Sequence, residues 1–425
     1  MNGFKELYYS YAKNYDEQKE EIKMPSGHVV LNFSFHSDYS FDFTRKGLFR
    51  GDLFYHELVR SKVPENSEFI YPVMVPDPKR TYDRAILLFH GLNEKNWDKY
   101  FVWAGYLAQM INCPVIMFPL AYHINRVPKS WSDPRVMSEI ASTRIKNDDP
   151  VNSTFANAAL STRMQFHPEL FIYSGLQSCH DVIRLVDDIR NGNNQLLTKD
   201  AHIDIFSYSI GAFFSQILML ANPGNRFGAS KLFIFCGGPT FDLMNGNSKY
   251  IMDSVAFKSL LELKHRQKLK QIKKKVFSTQ DSTLMETWQG LDLMMYCNRG
   301  RKKRESLFEK LSDRIYAVML EKDAVMPVDG VIRTLRGKKK RIEVPVEVID
   351  FPYNYSHEQP FPLGDDKIQN LVDRCFTVVF EKAVDFFSDE FLKDAENTMT
   401  EKVVKKESRK AGKREEEQYL IPSEV

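Results

Sequence analysis

The stretch HIDIFSYSIGAFFS, residues 202–215, passes from a strand-like pattern directly into small and apolar residues. Polar and apolar residues mix in its first part, HIDIF, with the alternation typical of a β-strand. Small residues then follow at every second position, namely Ser207, Ser209 and Gly211. A strand that ends in small-X-Ser-X-Gly and continues at once as a helix predicts a nucleophile elbow, a tight turn that exposes Ser209.

The tightness of this turn limits which residues can flank Ser209. The side chains two positions before and after it must be small, and Ser207 and Gly211 meet that condition as supporting residues. Ser207 stands where the usual pattern has glycine. Ser209 would also lie at the N-terminus of the following helix, where amides stabilise developing negative charge. Serines also cap helices routinely, so a purely structural role is the alternative.

A second motif is RAILLFHG, residues 84–91, whose continuous apolar run is typical of a central strand buried on both faces. Gly91 lets the backbone turn, so that the amide of Leu92 points toward the serine. The amide of Ile210 would join it as an oxyanion hole. The alternative is that the glycine only ends the strand and that His90 is a hydrogen-bonded core histidine.

Two polar residues follow later strands. Asp323 lies in VMLEKDAVMP, and His357 lies in FPYNYSHEQPF, where aromatic residues would shield it from water. Asp323 is also a natural cap for the next helix, whereas Asp329 is a poorer acid because it would lie inside that helix. The order Ser209, Asp323, His357, each directly after a different strand, predicts that the three meet at the carboxyl edge of the sheet.

Short β-rich runs alternate with longer helical patterns along the chain. This predicts an α/β fold with a mainly parallel sheet flanked by helices. The predicted strands are residues 29–36, 69–76, 84–91, 113–119, 202–206, 231–238, 314–327 and 341–352. The predicted helices are residues 97–112, 175–190, 210–220 and 366–387.

The same pattern divides the chain into regions. Residues 1–80 are expected to supply an N-terminal helix and edge strands, and residues 81–238 the first part of the core, with a loop insertion at 120–170. Residues 239–313 are helical and strongly basic and predict a cap inserted after the sixth strand. The core continues over 314–390, and the charge-dense residues 391–425 predict a solvated helix or a disordered tail.

From about residue 84 to 388 the chain resembles the α/β-hydrolase superfamily, on the motifs FHG, SYSIGA, EKDAVMP and YSHEQPF. The segment PLAYHINRVPKSWSDPR matches no well-characterised branch, which favours a poorly characterised subfamily. The resemblance implies a serine hydrolase that cleaves an ester, thioester or amide through an acyl-enzyme. It assigns the nucleophile to Ser209, the general base to His357, the orienting acid to Asp323 and the oxyanion donors to Leu92 and Ile210.

Two other functions use the same features. An acyltransferase would employ the same three residues with an acceptor other than water. A binding or scaffold protein would keep the fold with a dormant triad, because fold does not determine activity. Labelling by a fluorophosphonate separates an active serine from a dormant one.

The substrate is expected to be a small acyl compound. The segment after residue 119 predicts four pocket residues, namely His123, Asn125, Arg126 and Trp131. Arg126 would pair with a substrate carboxylate or phosphate, or else tie the insertion to its neighbours. The sequence has no HExxH, GxGxxG or GxxxxGK[ST] motif, so we expect neither a metal nor a cofactor.

Charge and cysteine usage limit the partners and the cellular location that the sequence predicts. With 59 Lys and Arg against 56 Asp and Glu, the net charge is +3, and no nucleic-acid partner is expected. The basic runs at 264–275, 299–304 and 336–341 predict solvated faces, with contact between the cap and an anionic membrane surface as the alternative. The five cysteines are scattered and lack CxxC spacing, and no apolar run is long enough to span a membrane. The N-terminus is charged throughout. Together these features predict a cytoplasmic protein.

Overall fold

The computed structural model describes residues 3–39, 58, 63–264 and 266–388. The predicted tail at 391–425 lies outside these residues. The described strands form a single mixed sheet in the order β1-β2-β3-β5-β4-β6-β7-β8-β9. The strands are β1 (Glu21–Lys23), β2 (Val29–His36), β3 (Glu68–Val75), β4 (Tyr82–Phe89), β5 (Val115–Met117), β6 (Leu197–Tyr208), β7 (Leu232–Phe235), β8 (Ile315–Leu320) and β9 (Val346–Ile349).

The sheet is parallel from β5 across to β9, and β1, β2 and β3 extend it antiparallel at one edge. This confirms the predicted α/β class with a mainly parallel sheet and an α/β-hydrolase architecture. After β4 the chain goes to one side to form β5 and then crosses to the other side to form β6. Such a reversal of strand order opens a crevice at the carboxyl ends of the strands, and β4 and β6 are the strands that border it.

Helices cover both faces of the sheet. The described helices are α1 (Phe4–Asn14), α2 (Pro64–Ser67), α3 (Asp98–Ile111), α4 (Pro134–Asp148), α5 (Ala158–Phe166), α6 (Leu170–Asn191), α7 (Ile210–Ala221), α8 (Ser254–Leu261), α9 (Arg266–Ser278), α10 (Ser282–Met295), α11 (Arg301–Lys310), α12 (Val328–Leu335) and α13 (Gln369–Phe387). Helices α6 and α7 pack on one face, and α1, α3 and α13 on the other. Along β4, Leu87 and Phe89 join the first core while Ile86 and Leu88 join the second, which explains why this strand is apolar throughout.

Two features of the fold differ from the sequence-based expectation. The insertion at 120–170, predicted as a loop, contains α4 and α5. The carboxylate of Asp133 accepts the amide hydrogens of Arg135 and Val136, and Pro134 occupies the first turn, so α4 has a strong N-terminal start. The short strand β1 was not predicted, so the region 239–313 follows the seventh strand of the structure and not the sixth.

The region 239–313 carries α8, α9, α10 and α11. Helix α10 lies very close to α7, since a Cβ on Gly290 would stand 2.6 Å from the carbonyl oxygen of Ile217. This region is also tied to the insertion by a buried ion pair of Arg144 with Asp253 at 2.6 Å. Asp253 in turn caps α8 through the amide of Ala256. We call these two joined segments, residues 120–170 and 239–313, the roof.

Candidate active site

Ser209 occupies the turn between β6 and α7. Its backbone has φ 58° and ψ −121°, a conformation that non-glycine residues rarely adopt and that costs about 1–3 kcal/mol. A Cβ at position 211 would stand 2.7 Å from the carbonyl oxygen of Phe89 and 2.8 Å from that of His90, so only glycine fits there. The turn is therefore held by its contact with the end of β4, as an elbow requires.

Ser207 fills the first small position of the elbow. It lies within the sheet between Phe89 on β4 and Ile234 on β7, and it is completely buried. Its hydroxyl donates to the carbonyl oxygen of Phe233 at 3.3 Å. The sheet thus accommodates the extra atoms that serine has over glycine and satisfies the hydroxyl.

The structure brings Ser209, His357 and Asp323 together. The distance from Ser209 Oγ to His357 Nε2 is 2.6 Å, and that from His357 Nδ1 to Asp323 Oδ2 is 2.8 Å. All three side chains are buried, with 2%, 4% and 5% of their residues' surface exposed. In this arrangement the imidazole can take the hydroxyl proton as the oxygen attacks a carbonyl, while the carboxylate stabilises the imidazolium.

Asp323 contacts His357, but it does not cap α12, which begins at Val328 after Pro327 and has no side-chain cap among the described residues. One of its oxygens contacts His357, and the other accepts the amide hydrogens of Val325 at 2.9 Å and Met326 at 2.8 Å. These bonds hold the carboxylate in place beneath the imidazole. Asp329 lies within α12, as expected.

Sequence reasoning missed two neighbours of these three residues, Tyr208 and Cys236. The hydroxyl of Tyr208 donates to the carbonyl oxygen of His357, and the two rings stack at 5.4 Å with 14° between their planes. Burial, followed by the charge of nearby Asp323, raises the pKa of the Cys236 thiol well above its usual range. The position directly before the elbow serine was the only sequence signal for Tyr208.

His90 is a structural histidine that shapes the turn after β4. Its Nδ1 donates to the carbonyl oxygen of Gly91 at 2.8 Å, and its Nε2 accepts the amide hydrogen of Leu120 at 3.0 Å. Burial, and then neighbouring His123, lower its pKa well below the usual histidine value, so the ring is neutral. The core-histidine alternative therefore holds, and its bonds fix the turn that presents Leu92.

Leu92, Ser209 and Ile210 line one apolar cavity of about 370 Å³. The predicted oxyanion donors thus border the same space as the hydroxyl. Its remaining wall comes largely from the roof and includes Phe241, Met244, Gly246, Ile251, Met252, Phe257 and Leu260. Two further cavities, of about 480 and 600 Å³, adjoin it, because Leu92 and Phe171 line all three.

The four predicted pocket residues divide into two pairs. His123 lines both adjoining cavities, and Trp131 lines the larger one. Asn125 instead donates to the carbonyl oxygen of Ile70 at 2.8 Å. Arg126 is completely buried and binds Asp181 at 2.7 Å, so the prediction that it contacts substrate is wrong and it ties the insertion to α6.

Across the described ranges, no group of three or more His, Cys, Asp or Glu side chains is placed to hold a metal ion. Over the same part of the chain, none of the helices has the length and apolarity needed to cross a membrane.

A family model described as "Family of unknown function (DUF6051)" matches residues 3–388. No curated protein matches the sequence. A thermostable esterase from Pseudomonas putida ECU1011 is similar at TM-score 0.40 and 8% identity, over 89% of this chain and 92% of that one. An arylesterase is similar at TM-score 0.38 and 13% identity, over 77% of this chain and 90% of that one. A Pyrobaculum calidifontis esterase is similar at TM-score 0.34 and 10% identity, over 78% of this chain and 90% of that one. At these identities a likeness leaves the reaction open.

Proposed function

The chain belongs to the family of unknown function DUF6051, and we propose that it is a serine hydrolase acting on an ester, thioester or amide carbonyl. The observation that carries the proposal is the pair of hydrogen bonds that link Ser209 Oγ through His357 to Asp323, at 2.6 and 2.8 Å. The strained backbone at Ser209 supports it, since such strain clusters at functional sites.

In the first half-reaction, Ser209 Oγ attacks the carbonyl carbon as its proton passes to Nε2 of His357. Asp323 holds the tautomer that leaves this nitrogen free to accept and stabilises the positive imidazolium. The amides of Leu92 and Ile210 stabilise the oxyanion, at about 3 kcal/mol per donor. The tetrahedral intermediate then collapses, the imidazolium gives its proton to the leaving group, and an acyl-serine remains.

The second half-reaction repeats these steps with water as the nucleophile. His357 removes a proton from water as its oxygen attacks the acyl carbon, and the serine oxygen leaves with that proton. The apolar cavity beside Ser209 supports an acyl or alcohol group of hydrocarbon character in this step.

The test is covalent labelling of the purified protein by a fluorophosphonate, together with hydrolysis of 4-nitrophenyl esters. The wild-type protein is expected to be labelled, and Ser209→Ala to lose the label and at least about 10³-fold of turnover. Ser215→Ala is the matched control, because Ser215 is a buried serine of α7 whose hydroxyl donates to the carbonyl oxygen of Gly211 in the same helix. A folded wild-type protein that takes no label would contradict the proposal and favour a binding protein.

A further inference from the structure

The larger of the two adjoining cavities differs from the apolar one in its charge. Besides Leu92, Phe171 and other apolar residues, it is lined by the charged residues Glu94, Lys95 and Arg163 and by His123. The apolar cavity has no charged residue in its wall. Met252 lines both, so the two spaces meet beside the carbonyl site of the proposed reaction.

Among the charged residues of this cavity, Lys95 is the one for which the described residues provide no hydrogen bond or ion pair. Neighbouring Glu94 is engaged by Lys99 at 2.5 Å and by the hydroxyl of Tyr100 at 2.8 Å. Arg163 is also engaged, since it donates to the carbonyl oxygen of Leu58 and lies against aromatic rings.

Lys95 is half-buried and lines both this cavity and the outer cleft. Burial lowers its pKa to about 8, and its charge is among the causes that lower the pKa of His123 to about 4, after burial. The charge of Glu94 opposes this effect of burial on the pKa of Lys95. An ammonium that lines a cavity and makes no hydrogen bond or ion pair with the described residues can bind an anion that enters it. Lys95 also lines the wide outer cleft that includes Glu358 and Tyr250, so it stands where a ligand would pass inward.

His123 adds an independent indication of a polar ligand. It is buried, and its Nδ1 donates to the carbonyl oxygen of Ala121 at 2.9 Å. Its Nε2 has no hydrogen-bond partner among the residues that the structure describes, and the ring borders the same cavity as Lys95. The Nε2 atom of His123 can accept a hydrogen bond from a donor on a ligand. It can also accept one from the ammonium of Lys95 when this ammonium binds an anion in the cavity.

We propose that the substrate is an ester with one hydrocarbon side, held in the apolar cavity, and one side that ends in a carboxylate, bound by Lys95. This inference rests on the proposed function. A carboxylate fits better than a phosphate, because the cavity offers one unused ammonium and a phosphate dianion calls for several donors.

The experiment compares matched ester pairs that differ only by the carboxylate. Hexyl valerate is compared with monohexyl glutarate, which carries the charge on the acyl side, and pentyl hexanoate with its ω-carboxylated counterpart, which carries it on the alcohol side. The proteins are wild type, Lys95→Met, Lys95→Arg and the control Lys129→Met, whose side chain is 95% exposed on the insertion.

Wild type is expected to prefer the carboxylated member of at least one pair. Lys95→Met should lose about tenfold or more in kcat/KM for that ester and change the neutral ester by less than about twofold. Lys95→Arg should retain most of the preference, and Lys129→Met all of it. Equal effects of Lys95→Met on both members, or none, would overturn the inference and leave the hydrolase proposal intact.

A binding measurement separates the two proposals further. Calorimetry on Ser209→Ala, with monohexyl glutarate or the ω-carboxylated pentyl hexanoate, should show binding that Ser209→Ala/Lys95→Met loses by about tenfold or more. If the fluorophosphonate fails to label wild type but this binding is found, the hydrolase proposal falls and the carboxylate site stands. If neither carboxylated ester binds, the carboxylate site falls.

Discussion

The two oxygens of the Asp323 carboxylate have different partners. One oxygen of Asp323 meets the imidazole of His357, and the other is held by the amides of Val325 and Met326. An amide at this position can still accept the backbone hydrogens through its oxygen. Its NH₂ group, however, would donate to His357 and place the ring proton on the wrong nitrogen.

Asp323→Asn is therefore expected to fold normally and to lower kcat by about 10³- to 10⁴-fold. Steady-state hydrolysis of a 4-nitrophenyl ester measures the loss, and thermal unfolding checks the fold. Asp329→Asn is the matched control, because Asp329 lies on α12 a few residues away and its loss should leave kcat within about twofold. A similar kcat for the two variants would argue against a triad.

Ser209, Asp323 and His357 could be predicted from sequence, because each follows a strand that ends at the same edge of the sheet. Arg126 could not be placed in the same way. Its partner Asp181 lies 55 residues away on α6, and nothing in the sequence indicates that the two side chains face each other. The contact of Tyr208 with His357 spans 149 residues and was hidden for the same reason.

At the scale of elements, the strands were the most predictable features. Continuous apolar runs such as β4 and β7 are buried on both faces, and few other structures produce that pattern. The insertion was harder, because prolines and polar residues mask the start of α4, although an aspartate before a proline is a common helix start. Short β1 has too few residues for a periodic pattern.

The roof decides the size of the apolar cavity, and Phe257 of α8 supplies part of its wall. Phe257→Ala should enlarge the cavity and lengthen the preferred hydrocarbon chain by about two carbons or more. A series of 4-nitrophenyl esters of increasing acyl length measures the optimum. Phe277→Ala is the control, because this phenylalanine of α9 is 37% exposed and lines none of the cavities described above. An unchanged optimum in Phe257→Ala would place the hydrocarbon chain elsewhere.

At the scale of the whole molecule, the first and last described helices meet. The amide of Phe4, at the start of α1, donates to the carboxylate of Asp373 on α13 at 2.7 Å, and the two helices share one core with α3. The end of α13 is fastened to the sheet by Arg84, which donates to the carbonyl oxygen of Phe387 and to Asp204 on β6, both at 2.6 Å. One side chain thus joins β4, β6 and the last helix.

Asp204 makes this junction sensitive to pH. It is completely buried, and although burial alone would raise its pKa, hydrogen bonds and charges from His202, Arg84 and the amide of Lys231 lower it below the ordinary aspartate value. A carboxylate whose pKa is lowered in the folded state stabilises the fold above the unfolded pKa. That contribution is lost as pH falls through the folded pKa.

Arg84→Met should therefore lower the free energy of unfolding by about 2–4 kcal/mol near pH 7, because it leaves the Asp204 charge buried with fewer partners. The deficit should shrink as pH approaches about 4, since Asp204 in the variant then takes up a proton and no longer needs the arginine. Urea unfolding at the two pH values measures both effects. Arg301→Met removes a partly exposed helix pair with Glu305 and should cost less than about 0.5 kcal/mol at either pH. A deficit of equal size at both pH values would show that Arg84 acts through packing or through α13 and not through the charge of Asp204.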